Sequence, residues 1–173
     1  EWGKRTRRLA DALTKLGIEK GDKVASFAWN QHRHLESYFA VPCIGACLHM
    51  VNIRLSAEHI AFIINHAEDK VILIDEDLVP LIEEVQDQLK TIQYYIIMCD
   101  GKLPDTTLPN VLNYEELLAS ANEAFDFPTD LDENTVASMC YTSATTGNPK
   151  GVEYTHRALV LHSMMSSMVD TLA

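Results

Sequence analysis

The apolar positions of this chain switch between helical and strand periods, and the switching lays out a regular succession of elements. Leu9, Leu13 and Leu16 recur at helical spacing and predict a helix over 2–16, with Gly17 where a helix end favours glycine. After the Gly21-Asp22 turn, a strand is expected over 23–30. A helix follows over 33–46, which Pro42 must kink or end early, and then a strand over 48–53. Ser56 is placed to cap the next helix, in which Ile60, Ile63, Ile64 and Ala67 form one apolar stripe. Val71-Ile72-Leu73-Ile74, inside a strand over 70–75, is apolar on both faces, as a central parallel strand requires. Leu81, Ile82, Val85 and Leu89 predict a further amphipathic helix with Pro80 in its first turn, and 94–99 reads as another strand. Strands separated by helices in this way imply βαβ units. The expected fold is α/β, with a mostly parallel sheet covered by helices on both faces.

The pattern changes downstream. Residues 100–111, with Gly101, Pro104 and Pro109, read as a loop, and Asn113-Tyr114-Glu115-Glu116 has the form of a capping box for a short helix to Ala121. The acidic stretch 125–134 contains Pro128 and reads as a surface connection. A buried strand over 136–140, a hydroxyl-rich loop, a short strand and a helix capped by Thr155 follow. In that helix Ala158, Leu161, Met164, Met165 and Met168 share one face, and core packing is the expected use of it. Residues 1–124 thus form an α/β subdomain, and 125–173 a linker followed by a strand–phosphate-loop–strand–helix unit.

The loop Tyr141-Thr142-Ser143-Ala144-Thr145-Thr146-Gly147-Asn148-Pro149-Lys150-Gly151 concentrates the chemistry. The hydroxyls of Thr142, Ser143, Thr145 and Thr146 and the backbone amides between them can all donate to anionic oxygens. Gly147 allows a tight turn, Asn148-Pro149 is a turn dipeptide, and Lys150 adds one point charge with three donors. Small donors, a turn and one ammonium make a cradle for phosphate. The loop is not a Walker A loop, which needs Gly-Lys followed by Ser or Thr, because Lys150 is followed by Gly151 and Val152.

Charge and composition narrow the partners. Of 173 residues, 47% are hydrophobic and 23% charged, enough for one sizeable core. The formal net charge of −11 argues against a nucleic-acid or anionic-membrane surface, so a polyanion must be held by local donors. Lys4, Arg5, Arg7 and Arg8 read as the solvated face of the first helix. Cys43, Cys47, Cys99 and Cys140 contain no C-x-x-C pair and lack companion zinc ligands, and the stretch 39–51, broken by Pro42 and Gly45, is too short to cross a membrane. These features fit a reducing cytoplasm. His32, His34, His59 and His66 match no zinc-protease spacing, the adjacent pairs Glu83-Glu84 and Glu115-Glu116 make poor acid–base couples, and no Ser-His-Asp set is evident. The chain starts at Glu1 rather than Met and stops inside a helical pattern, and so reads as a piece of a longer protein.

The run 141–151, continuing through Val152-Glu153-Tyr154-Thr155-His156-Arg157, resembles the phosphate-loop signature of adenylate-forming enzymes: acyl-CoA synthetases, luciferases and peptide-synthetase adenylation domains. The segment from Thr155 to Ser163 is most similar to medium- and long-chain fatty acid–CoA ligases. The resemblance implies an enzyme in which a fatty acid carboxylate attacks the α-phosphorus of ATP, pyrophosphate leaves, and coenzyme A displaces AMP to give a thioester. The substrate carboxylate is the nucleophile, so the protein's task is positioning and charge stabilisation. It implies that Thr142, Ser143, Ala144, Thr145, Thr146, Gly147, Lys150 and Gly151 form the ATP phosphate site, that Thr142 lies near Mg²⁺, and that His156 supports the loop or approaches the acyl-adenylate. It also implies a homodimer, and a mobile C-terminal domain that this chain lacks. The chain alone is therefore expected to be inactive. Ala144 departs from the family's usual glycine, which predicts weakened ATP binding and leaves a non-catalytic relative as an alternative. A carrier protein in place of coenzyme A as acceptor is a further alternative.

Overall fold

The structure is a computed structural model, and it describes residues 1–142 and 148–168. The helices are α1 (Trp2–Lys15), α2 (His32–Cys43), α3 (Ala57–Ala67), α4 (Val79–Glu83), α5 (Tyr114–Ala119) and α6 (His156–Ser166). The strands are β1 (Lys23–Phe27), β2 (Cys47–Met50), β3 (Val71–Asp75), β4 (Tyr94–Met98), β5 (Val111–Asn113), β6 (Val136–Thr142) and β7 (Lys150–Thr155). They form one sheet in the order β5-β4-β3-β1-β2-β6-β7. Every neighbouring pair is parallel except β6 and β7, which run antiparallel. The expected α/β fold is therefore present, and the strand–loop–strand unit joins the same sheet as residues 1–124.

Two cores follow from the alternation of side chains along the strands. On one face, Leu9 and Leu13 of α1, Val41 of α2 and Tyr114 of α5 meet Val24, Leu48, Leu73 and Ile96. On the other, Ile60, Ile63 and Ile64 of α3 and Ile82 of α4 meet Phe27, Ile72, Ile74 and Ile97. Helix ends behave as their residues require. Ser56 accepts from the His59 amide, Asn113 from those of Glu115 and Glu116, and Thr155 from that of Ala158. Gly17, at φ 86, closes α1 with its own amide on the Thr14 carbonyl and that of Ile18 on Leu13.

Several expectations need correcting. β1 stops at Phe27 and β2 at Met50, short of 30 and 53. The expected helix around Leu81–Leu89 is one α turn of five residues flanked by 3-10 turns, and Leu81 is exposed while Ile82 and Val85 are buried. Residues 111–113, read as the end of a loop and a cap, form the edge strand β5. Within the described residues of α6 none is buried, and Met164 and Met168 are about two-thirds exposed at 64% and 65%. Among the described residues that face is thus not packed into a core. The reason is topological: α6 follows the last strand of the sheet and leans on its margin.

The basic cluster near the start also divides. Lys4 and Arg8 pair with Glu123 in solvent, whereas Arg5 turns inward. Its Nε lies 2.5 Å from Glu36 Oε1, and its two terminal nitrogens lie 2.8 and 2.9 Å from the Glu115 carboxylate. Arg33, buried, donates to Glu115 at 2.7 Å and to Asp100, and the Tyr114 hydroxyl donates to Glu36 at 2.6 Å. This network ties α1, α2 and α5 together on one face of the sheet.

Hydrogen bonds from Arg5, joined by those from Arg33, hold the Glu115 carboxyl at about 2, well below its ordinary 4.5. A carboxyl whose pKa is lower folded than unfolded binds fewer protons when folded. Its contribution is complete above pH 4.5 and is lost as pH falls towards 2. Because the side chain is 33% exposed, the contribution is expected to be on the order of 2 kcal/mol rather than the full value of the shift. Urea unfolding from pH 6 to 2.5 should show Glu115→Gln with a correspondingly shallower loss of stability than the parent; equal losses would remove Glu115 from this role.

Candidate functional site

The loop singled out by sequence is carried by the β6–β7 hairpin. Tyr141 stands opposite Gly151 and Thr142 opposite Lys150. β6 is parallel to β2, so the hairpin tip lies on the edge of the sheet formed by the carboxyl ends of the parallel strands, where α/β proteins receive ligands. Ser143, Ala144, Thr145, Thr146 and Gly147 lie outside the described residues. Both flanks are described: Thr142 and Lys150 are exposed, Pro149 is buried, and the Thr142 hydroxyl lies 3.5 Å from the Lys150 carbonyl oxygen. A hydroxyl-bearing and an ammonium-bearing residue therefore pair at the mouth of the hairpin.

His156 is not brought to this tip. It is the first residue of α6, and its amide donates to the Thr135 carbonyl beyond the other end of β6. Six residues of β7 separate it from the loop, about 20 Å at the rise of a strand. The expected direct support of the loop does not fit that position. His156 instead helps anchor the root of the hairpin.

Around Tyr141, near the end of β6, lies a group of polar residues that sequence reading overlooked. His49, in the middle of β2, and Asp69, just before β3, are both fully buried, with His49 Nδ1 2.6 Å from Asp69 Oδ2. The His49 ring lies 5.1 Å from that of Tyr141 between centroids. On α3, His66 Nδ1 lies 2.6 Å from the Tyr141 hydroxyl. Burial, with Asp69 and Glu153 nearby, pushes the Tyr141 phenol up to about 12, so it keeps its proton. The only hint in the sequence was a histidine between Leu48 and Met50 in an otherwise apolar strand.

Gly151 makes room for the Tyr141 ring. A Cβ there would lie 3.3 Å from Tyr141 Cζ and 3.3 Å from Met139 Cε. The methionine end can yield, but the ring is held on its other side. Gly151→Ala should cost less than about 1 kcal/mol and Gly151→Val about 1–3 kcal/mol, read from the thermal midpoint. A valine variant as stable as the parent would mean that the ring is free to move.

The metal expectation can be weighed against these groups. Thr142 supplies a single hydroxyl oxygen, and among the described residues no group of three His, Cys, Asp or Glu could hold a metal ion. The described side chains do not make a Mg²⁺ site by themselves. Thr142 suits an ion already carried by phosphate oxygens.

With this geometry in hand, comparison with known proteins is decisive at the level of family. The model of the AMP-binding enzyme family matches residues 1–172. The chain belongs to the AMP-binding enzymes. Among relatives of this AMP-binding chain, a long-chain-fatty-acid–CoA ligase of Thermus thermophilus is 49% identical over 166 residues, which is 96% of this chain and 29% of the relative. A medium-chain-fatty-acid–CoA ligase of Ectopseudomonas oleovorans is 45% identical over 169 residues, 97% of this chain and 31% of the relative. The AMP-binding chain thus spans about three-tenths of the length of these curated relatives. The crystal structure of the anthranilate CoA ligase AuaEII in complex with anthranoyl-AMP superposes with a TM-score of 0.87 over 95% of this chain and 30% of that one, at 20% identity. At that identity the match speaks for the fold. Among the described residues no helix is long and apolar enough to cross a membrane.

Proposed function

We propose that the protein to which this chain belongs is a fatty acid–CoA ligase. It activates a medium- or long-chain carboxylic acid with ATP and passes the acyl group to coenzyme A in the cytoplasm. The observation that carries the reading is the hairpin bearing Thr142 and Lys150 at its mouth, in a chain whose relatives include two fatty acid–CoA ligases at 45% and 49% identity. Thr142, Ser143, Thr145, Thr146 and Lys150 hold the β- and γ-phosphates. Ala144, Gly147 and Gly151 shape the backbone around them. Thr142 would stand beside a Mg²⁺ ion carried by the nucleotide, which would supply neutralisation of phosphate charge. The acid and the thiol are the reacting partners, so what this segment contributes is grip and orientation.

Exchange of labelled pyrophosphate into ATP by the complete protein, dependent on a fatty acid and followed by thioester formation with coenzyme A, tests the proposal. No exchange with any chain length would overturn it and favour the non-catalytic reading that Ala144 motivates. Exchange without thioester would redirect the acceptor to a carrier protein. In the same assay Ala144→Gly is expected to lower the KM for ATP by about 3–10-fold, the counterpart of roughly 1 kcal/mol of relieved backbone or contact strain. An unchanged KM would show that the methyl group costs nothing there.

A further inference from the structure

We propose that Tyr141 and His66 are a positioning pair for the phosphate loop: a hydrogen bond from α3 to the end of β6 sets the orientation in which Thr142 is presented to the nucleotide. The inference rests on the phosphate-binding role assigned above. It concerns two residues 75 positions apart, neither of which touches phosphate in that reading.

Tyr141 immediately precedes Thr142, so its side chain fixes the last strand residue before the loop. Three elements converge on its ring. Gly151 on β7 leaves the space that admits it, since a Cβ there would come within 3.3 Å. His49 on β2 lies on another side, and its imidazole is immobilised by the buried bond to Asp69. His66 on α3 meets the hydroxyl at 2.6 Å, and its own ring is stacked on Phe62 with 28° between the planes. The phenol keeps its proton and can donate to Nδ1. Packing alone would be served by phenylalanine. The hydroxyl adds a directional tie, and it is aimed at a helix rather than at the strand's own hairpin partner. β6 and β7 are already joined by their backbone ladder. What the tie can contribute is the angle between the hairpin and α3, and small errors in such angles are costly where a reaction depends on alignment.

The test uses Tyr141→Phe, His66→Leu, their double variant and His66→Asn in the complete protein. The KM for ATP and for the fatty acid is measured by pyrophosphate exchange, alongside the thermal midpoint. Each single removal is expected to raise the KM for ATP about 3–10-fold with the KM for the acid unchanged. The double variant should lose no more than either single one, because both remove the same bond. His66→Asn, which keeps a polar atom near the place of Nδ1, should recover part of the loss. The positioning role is overturned if the KM for ATP does not move, if the losses multiply, or if both KM values and the midpoint deteriorate together as in general loosening. A parent protein without exchange would overturn the functional reading itself and this inference with it. A parent with exchange but insensitive variants overturns the pair alone.

Discussion

Arg5→Ala is expected to destabilise the chain by about 3–5 kcal/mol, the cost of leaving a buried charge without its partner. Glu36 is 1% exposed, and its neighbours are the Arg5 guanidinium and the Tyr114 hydroxyl. Without Arg5 its carboxylate faces one neutral donor in a region that water does not reach. Glu115 suffers less, because Arg33 still donates to it and it is partly solvated. For a chain of 173 residues the thermal midpoint should fall by about 6–20 °C. Replacing both partners with apolar residues, as in Arg5→Met with Glu36→Leu, should recover much of the loss, since a buried ion pair costs desolvation on both sides. A fall below about 2 °C for Arg5→Ala would mean that water or another cation reaches Glu36.

Lys150→Met in the complete protein is expected to raise the KM for ATP about 10–100-fold in pyrophosphate exchange, with little change in the unfolding midpoint. The figure follows from the about 1.5–3 kcal/mol that a hydrogen bond to a charged group contributes. Lys150 is exposed and faces Thr142 across the hairpin, so its removal leaves no buried gap. The chain's net charge of −11 offers a triphosphate no general attraction, which makes a local ammonium count for more. Lys150→Arg should retain part of the affinity, because it keeps the charge but spreads it over a planar fork on a different stem. Equal KM values for Lys150→Met and the parent would move phosphate recognition away from this residue.

Much of the architecture was legible because local rules and long-range packing agreed. The run of four apolar residues from Val71 is a fully buried interior strand of the sheet, and the caps at Ser56, Asn113 and Thr155 each accept the amides their positions call for. The misses have physical causes. β5 is three residues long at the sheet edge and follows Pro109 and Asn110, whose φ of 48 makes the turn into it, so its periodicity is too short to register. Leu81 shares helical spacing with Ile82, Val85 and Leu89, but one turn of α-helix cannot keep all four on one face. The apolar stripe of α6 was visible, yet periodicity says which face is apolar and not what covers it. Arg5 looked like one cation among four, and only the approach of α2 and α5 shows that it is the interior one. In the candidate site the loop was legible because its residues are contiguous. The Tyr141–His66 and His49–Asp69 pairs are assembled by the fold from distant positions, and no local spacing announces them.

The β6–β7 ribbon is held both at its root and along the flank that β6 shares with β2. It is clamped at one end, where the amides of His156 and Arg157 donate to the carbonyls of Thr135 and Glu133 and the Arg157 guanidinium reaches the Glu133 carboxylate. The pairing with β2 and the Tyr141–His66 bond then hold the rest of β6 in place. Changes at Glu133 or Arg157 are therefore expected to loosen the junction of β7 and α6 first, while the sheet keeps β6 in register.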